Sequence, residues 1–242
     1  MLKKSNQQKA LVLLSGGIDS SVASIVALQR SNQVYFLTFN YRQINLKEIS
    51  CARQIVKALA ARAPHIVVTL DFRALESAKR SHLLSPNIGS YKHSYRFYVP
   101  GRNMIFLAHA AAIAEVNDIH TIYLGSNLQD ALHGSVGYPD SDSTFFRFAE
   151  RAINRGLKYG NIQITAPLLG MNKFEAIRLG KMNDFDFRLT WSCYRNGRAA
   201  CGKCPACRAR ILNFHWAGYR DPIRYSQGFE SALCDALSRQ VS

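Results

Sequence analysis

The sequence predicts an α/β fold, a parallel sheet covered by helices on both faces, from three observations. Short runs of Val, Ile, Leu and Tyr alternate with segments of helical period. These runs are continuously apolar, as strands buried on both faces are. The first of them, LVLLSGGIDSS at residues 11–21, breaks at a glycine pair and resumes as a helix.

Residues 10–14 read as the first strand and 19–30 as the first helix; QVYFLTFN at 33–40 reads as the second strand and 44–61 as the second helix. HIVVTL at 65–70 supplies a third strand, the Ala-rich NMIFLAHAAAIAEV at 103–116 a helix, TIYLGS at 121–126 a fourth strand and NIQITAP at 161–167 a fifth. Helices over 143–156 and 172–182 complete the pattern. Two stretches break it: 71–100 has no clear apolar period, and 126–142 is polar with glycines and a proline. Both leave the C-terminal ends of strands, where open α/β sheets bind ligands, so they read as substrate lids or disorder.

A chain of 242 residues, 48% of them hydrophobic, buries one substantial core with a small appended element. No apolar stretch reaches the roughly 20 residues of a membrane helix, and MLKKSNQQKA leads only into the first strand, so no export signal is read. A cytoplasmic location is expected, where clustered thiols serve as metal ligands or catalytic groups more often than as disulfides. Thirty-one Lys and Arg against 16 Asp and Glu leave a formal net charge of +15. ATP, nucleic acid and an acidic protein partner all suit that field, and charge alone does not choose among them.

The glycine pair has a chemical reading. Gly16 and Gly17 let the backbone turn tightly and approach a ligand, and the amides of Ile18 and its successors open a helix at its positive end, a prepared anion site. Ser15, Ser20 and Ser21 add hydroxyls, and Asp19 either caps the helix or meets Mg²⁺. The segment is built to hold phosphate, although it lacks the lysine of the GxxxxGK[ST] loop. SGGxDS resembles the loop of the N-type ATP pyrophosphatases, or PP-loop enzymes, which cleave ATP between its α and β phosphates to adenylate a substrate oxygen.

Four of the six cysteines, Cys193, Cys201, Cys204 and Cys207, fall in a Cx7CxxCxxC spacing. Four soft thiolates suit tetrahedral Zn²⁺ with no open position, hence a structural site; an iron–sulfur cluster is the alternative. Arg195, Arg198, Lys203, Arg208 and Arg210 stand nearby to offset the residual negative charge. Residues 1–187 are accordingly expected to form the ATP-binding domain, and 188–242 a zinc-binding helical element packed on it.

From LSGGIDSS through FNYRQ, VPGRN, GYPD and APLLGMNKFEA to the cysteine knuckle, the chain resembles the 7-cyano-7-deazaguanine synthase family of the queuosine pathway. The resemblance implies a Rossmann-like, adenine nucleotide alpha hydrolase-like sheet, a homodimer, and ATP, Mg²⁺ and Zn²⁺ as cofactors. It implies an ATP-dependent ligase that adenylates the carboxylate of 7-carboxy-7-deazaguanine and adds ammonia to reach the nitrile. Carried over residue by residue, Ser15, Gly16, Gly17, Asp19 and Ser20 match the ATP loop, and Gly101, Arg102 and Asn103 a GRN motif whose arginine suits phosphate oxygens. Lys173 matches a lysine that neutralises departing pyrophosphate. Asp130, Tyr138 and Asp140 match the substrate side, where a carboxylate faces a guanine-like edge.

The chain departs from the family's pattern on that same side. NYRQINL stands where the family shows DYGQRH, which puts Arg42 in place of glycine, Ile44 in place of arginine and Asn45 in place of histidine. Asp140-Ser141-Asp142 replaces DCR, and about four extra residues separate Asp130 from GYPD. Three alternatives therefore stand beside the nitrile synthase. One is a diverged paralog that couples a deazaguanine to a protein or other macromolecular amine; another is a tRNA-modifying enzyme of thiolation or lysidine type; the third is a nucleotide-binding zinc module without turnover.

Overall fold

The computed structural model describes residues 8–72, 99–131 and 138–239. Five strands form one parallel sheet: β1 Lys9–Leu13, β2 Gln33–Asn40, β3 His65–Thr69, β4 Thr121–Tyr123 and β5 Gln163–Thr165, in the order β3-β2-β1-β4-β5. Register pairs Leu11 with Tyr35 on one side of β1 and with Ile122 on the other. Parallel neighbours need crossover helices, and the chain supplies α1 Ile18–Arg30, α2 Lys47–Ala60, α3 Arg102–Val116, the short α4 Leu128–Ala131, α5 Ser143–Gly156 and α6 Lys173–Met182. A 3₁₀ turn at Phe187–Leu189 leads to α7 Pro205–Ala217 and α8 Phe229–Ser238.

Alternate residues of each strand feed opposite layers. Ala10, Val12, Val34, Phe36 and Tyr123 pack under α1, α2 and α6 with Ile25, Ile55 and Ile177. Leu11, Leu37, Phe39 and Ile122 face the other way, against Leu107, Ala110 and Ala114 of α3 and Phe146 of α5. The small residues on α3 let it lie close to the sheet, which is why that helix is Ala-rich. Asp142, in the stretch read as a loop, caps α5 by accepting from the Phe145 amide at 2.6 Å.

The five strands and the helices α1, α2, α3, α5 and α6 come in the order the sequence predicts, with differences at their ends, whereas α4 falls in a stretch read as a loop. Strands four and five are three residues each, because beyond Tyr123 and Thr165 the chain leaves the sheet. The second helix begins at Lys47, with the turn that opens it closed by a 3.0 Å bond from the Glu48 amide to the Asn45 carbonyl. Most of the irregular 71–100 stretch, at 73–98, and the centre of the 126–142 stretch, at 132–137, lie outside the described residues. The described flanks of the latter are ordered by α4 and by the cap at Asp142.

Arg42 takes φ +61°, a left-handed conformation that suits glycine better. Its amide is held by the Asn40 side chain at 3.2 Å.

Candidate active site

The strand order reverses between β1 and β4, and a cavity of about 360 Å³ opens beyond their carboxyl ends, the place where doubly wound sheets bind ligands. Its phosphate-sized end is the turn after β1. Gly16 has φ +90°, and a Cβ there would run into the Glu48 carbonyl oxygen of α2. Only glycine lets the turn pass beneath that helix. The Ser15 and Ser20 hydroxyls lie 2.9 Å apart, the Ser15 amide donates to Ser20 Oγ at 3.2 Å, and the Gly17 amide donates to Ser15 Oγ at 3.2 Å. The loop thus holds its own shape, while no side chain caps α1 at Gly17, which leaves the amides of its first turn for a ligand. From across the switch point Gly125 closes down on this turn; a Cβ there would stand 2.5 Å from the Ser20 amide nitrogen.

Lys173 is the first residue of α6, whose start is fixed by a 2.7 Å bond from the Asn172 amide to the Glu175 carboxylate. Its ammonium reaches Asp19 Oδ2 at 2.9 Å. Burial opposes its charge, but Asp19 and Asp130 more than offset that and raise its pKa. Asp130 is pushed up by burial against the pull of Lys173. Asp19 Oδ1 is buried without a hydrogen-bond partner, an unfilled oxygen suited to a hard divalent cation.

Among the sequence-predicted residues, Ser15, Gly17, Ile18, Asp19, Ser20, Arg102, Asn103, Asp130, Tyr138 and Lys173 line this one cavity. Gly16 and Gly101 are not among the lining residues but adjoin them, Gly101 at φ +63° just before α3. Two expectations need correcting. Ser21 is fully buried and spends its hydroxyl on the Gly17 carbonyl at 2.6 Å, so it braces the loop and offers no donor to phosphate. Asp140 is buried and turned to α3, accepting from the Asn103 amide at 2.9 Å, while Asn103 Nδ2 donates to the Asp140 carbonyl and to Ser141 Oγ. It anchors the helix start that carries Arg102 and does not line the cavity.

Sequence reasoning passed over part of the wall. Glu48, Tyr41, Phe106, Trp191 and Tyr194 all face the cavity. Burial raises the Glu48 carboxyl to about 8 against the lowering field of Arg102, and burial also raises Tyr41, whose hydroxyl accepts from Arg102 Nη1 at 3.4 Å. An acidic residue in the first turn of α2, directly after a strand of the switch-point sheet, was the available signal for Glu48.

The four cysteines converge. Their sulfurs all lie within 4.8 Å of one another, with Cys201 and Cys207 3.8 Å apart; a tetrahedral site with metal–sulfur bonds of about 2.3 Å has edges of ~3.8 Å. Backbone amides of Arg195 and Cys201 point at Cys193 Sγ, that of Cys204 at Cys201 Sγ and that of Cys207 at Cys204 Sγ, at 3.3–3.4 Å. The group fits a metal ion. Of the cations expected to balance it, Arg195, Arg198 and Lys203 are exposed, and Arg210 is buried, paired with Asp221 at 2.7 Å and within the field of Cys207. The knuckle also touches the ATP-type loop, since the Trp191 amide donates to the Gly16 carbonyl at 3.0 Å and its indole donates to the Cys193 carbonyl at 2.9 Å.

A doubly wound sheet, an SGGxDS turn and a lysine facing it across the switch point define an ATP-dependent, ligase-type enzyme of the PP-loop class. The family model described as Queuosine biosynthesis protein QueC matches residues 9–218. The chain belongs to that family. A 7-cyano-7-deazaguanine synthase of Thermoplasma volcanium is 36% identical over 227 residues, covering 91% of this chain and 92% of the relative. One from Acetivibrio thermocellus is 37% identical over 224 residues, covering 91% and 99%. Among solved structures, a 4-thiouridine synthetase in complex with RNA and bound ATP superposes with a TM-score of 0.50 at 20% identity, over 96% of this chain and 52% of that one; the likeness is one of fold. No helix among the described residues is long and apolar enough to cross a membrane.

Proposed function

We propose that the protein adenylates the carboxylate of 7-carboxy-7-deazaguanine and couples it to ammonia, ending in 7-cyano-7-deazaguanine. The observation that carries this is the Lys173–Asp19 pair facing the Ser15–Ser20 turn, in a chain whose relatives of more than 35% identity bear that synthase's name. A substrate carboxylate oxygen attacks the α-phosphorus of ATP, and the α–β bridging oxygen leaves with pyrophosphate. The open amides of α1 hold the phosphates, and Lys173 and Arg102 take up the charge that develops on the leaving group. Ammonia then attacks the acyl carbon and AMP departs, giving the amide. The amide oxygen attacks the α-phosphorus of a second ATP with loss of pyrophosphate, and loss of AMP and of both amide protons leaves the nitrile.

Asp19 and Asp130 would hold Mg²⁺, which would neutralise phosphate charge. Cys193, Cys201, Cys204 and Cys207 would hold Zn²⁺ as a structural clasp, keeping Trp191 against the loop. The same reading takes the protein as a cytoplasmic homodimer, with residues 188–242 as a zinc element on an ATP-binding domain at 1–187. The test is incubation with ATP, Mg²⁺, ammonium and 7-carboxy-7-deazaguanine, followed by mass spectrometry. Nitrile and stoichiometric pyrophosphate are expected. Pyrophosphate release without nitrile, with the deazaguanine attached to protein, would replace ammonia by a protein amine; no pyrophosphate release would refute the reading.

A further inference from the structure

Two buried oxygens on residues that line the cavity have no hydrogen-bond partner among the described residues, Asp19 Oδ1 and Asn45 Oδ1. Asn45 is 5% exposed and is among the residues that line the cavity, and its buried Oδ1 has no hydrogen-bond partner. A buried amide oxygen left so costs about 1–3 kcal/mol, and native structures rarely carry that cost without a ligand or water to relieve it. Three residues on, Glu48 lines the same cavity. The Glu48 amide bonds the Asn45 carbonyl at 3.0 Å, and the Asn45 side-chain amide offers a hydrogen bond to the Glu48 carboxylate. The turn that opens α2 therefore presents two neighbouring acceptors, Asn45 Oδ1 and a Glu48 oxygen. Tyr41, Phe106 and Tyr194 supply apolar faces to the same cavity, the surroundings a planar ring requires.

The pattern of acceptors selects the ring. A guanine-like pyrimidine edge presents two adjacent donors, N1–H and the 2-amino group, whereas adenine presents one donor beside one acceptor. Asp130, the carboxylate that the family resemblance assigns to this edge, stands in the field of Lys173 and beside Asp19, and accepts from the Asn127 amide at 3.3 Å.

We propose that Asn45 and Glu48 read the N1–H and 2-amino edge of the deazaguanine and so determine specificity for a guanine-like acid. This rests on the reading under Proposed function and adds to it the residues that choose the substrate. The chain has asparagine at 45 where the family pattern has histidine, so this particular pairing is a property of this chain.

The test is calorimetric binding to the full chain, with 7-carboxy-7-deazaguanine, its analogue lacking the 2-amino group, and α,β-methylene-ATP as separate titrants. Wild type is expected to lose about 10- to 100-fold in affinity for the analogue. Glu48→Leu and Asn45→Leu are expected to lose a similar factor for the parent ligand, to distinguish parent from analogue far less, and to bind the nucleotide within about 2-fold of wild type; the nucleotide arm also shows that each variant is folded. Equal wild-type affinity for parent and analogue overturns the inference without any variant. So do variants that still distinguish the two ligands, or that lose nucleotide and deazaguanine together, which would place the pair at the adenine. If wild type binds nucleotide but not 7-carboxy-7-deazaguanine, the proposed substrate falls, and this inference with it.

Discussion

Alanine at position 16 and alanine at position 101 should cost very different amounts, although both glycines hold positive φ, +90° and +63°. At Gly101 the space around a new Cβ is open, so the penalty is backbone strain alone, about 1 kcal/mol. At Gly16 the same order of strain is joined by a collision with the Glu48 carbonyl, and the Glu48 carbonyl carbon and the Ala52 nitrogen stand 3.0 Å away. These are backbone atoms in the opening turns of an ordered helix, so they yield only if α2 moves. Overpacking adds about 1–3 kcal/mol, for a total of roughly 2–4. At about 2–4 °C per kcal/mol for a chain of this size, thermal unfolding should fall by about 5–15 °C for Gly16→Ala and 2–4 °C for Gly101→Ala. Because displacement of α2 carries Asn45 and Glu48 away from the cavity, Gly16→Ala should also weaken deazaguanine binding. Equal melting temperatures for the two variants would refute the argument that the turn is held down by the helix above it.

Replacing Lys173 by Met keeps the stem and removes the charge 2.9 Å from Asp19; pyrophosphate release should fall by about 10²–10³, and an unchanged rate would remove the lysine from the chemistry. Glu48 titrates at about 8 in the fold against 4.5 as a free side chain, so the fold favours its protonated form: its stabilisation is complete below pH 4.5 and is lost as pH rises to about 8. Urea unfolding at pH 5.5 and pH 8 should show wild type losing stability relative to Glu48→Gln, by at most about 1.4 kcal/mol per pH unit. Cys201→Ser, or chelation of the metal, should loosen the cluster around Trp191, which is 3% exposed against 41% for Trp216; the expected sign is a red shift of tryptophan fluorescence with lowered ATP affinity, and unaltered emission would count against coupling of knuckle and loop. Arg42→Gly should stabilise the protein by about 1 kcal/mol in urea unfolding, since the exposed Arg42 holds φ +61°.

Period and punctuation along the chain determined the fold class by themselves: continuous apolar runs separated by helical segments admit little besides a covered parallel sheet, and β1, α1, β2 and α5 stand within a residue of their expected places. The SGGxDS turn and the Cx7CxxCxxC spacing were legible for the same reason, being local patterns whose chemistry follows from residues near one another in sequence. Direction of side chains was not legible. Ser21 and Asp140 read as ligands, yet one hydroxyl closes on Gly17 and one carboxylate on the Asn103 amide. Asp130, read as facing a base, sits with Lys173 and Asp19, because α4 meets the start of α6, where the Lys173 amide donates to Gln129 Oε1 at 3.2 Å. Glu48 was singled out by no motif, and it comes under the field of Arg102 only in the folded chain. Local sequence sets which backbone groups can turn, cap or bind; which distant side chains share one low-dielectric cavity is decided by the strand order, a global property that no window of the chain contains.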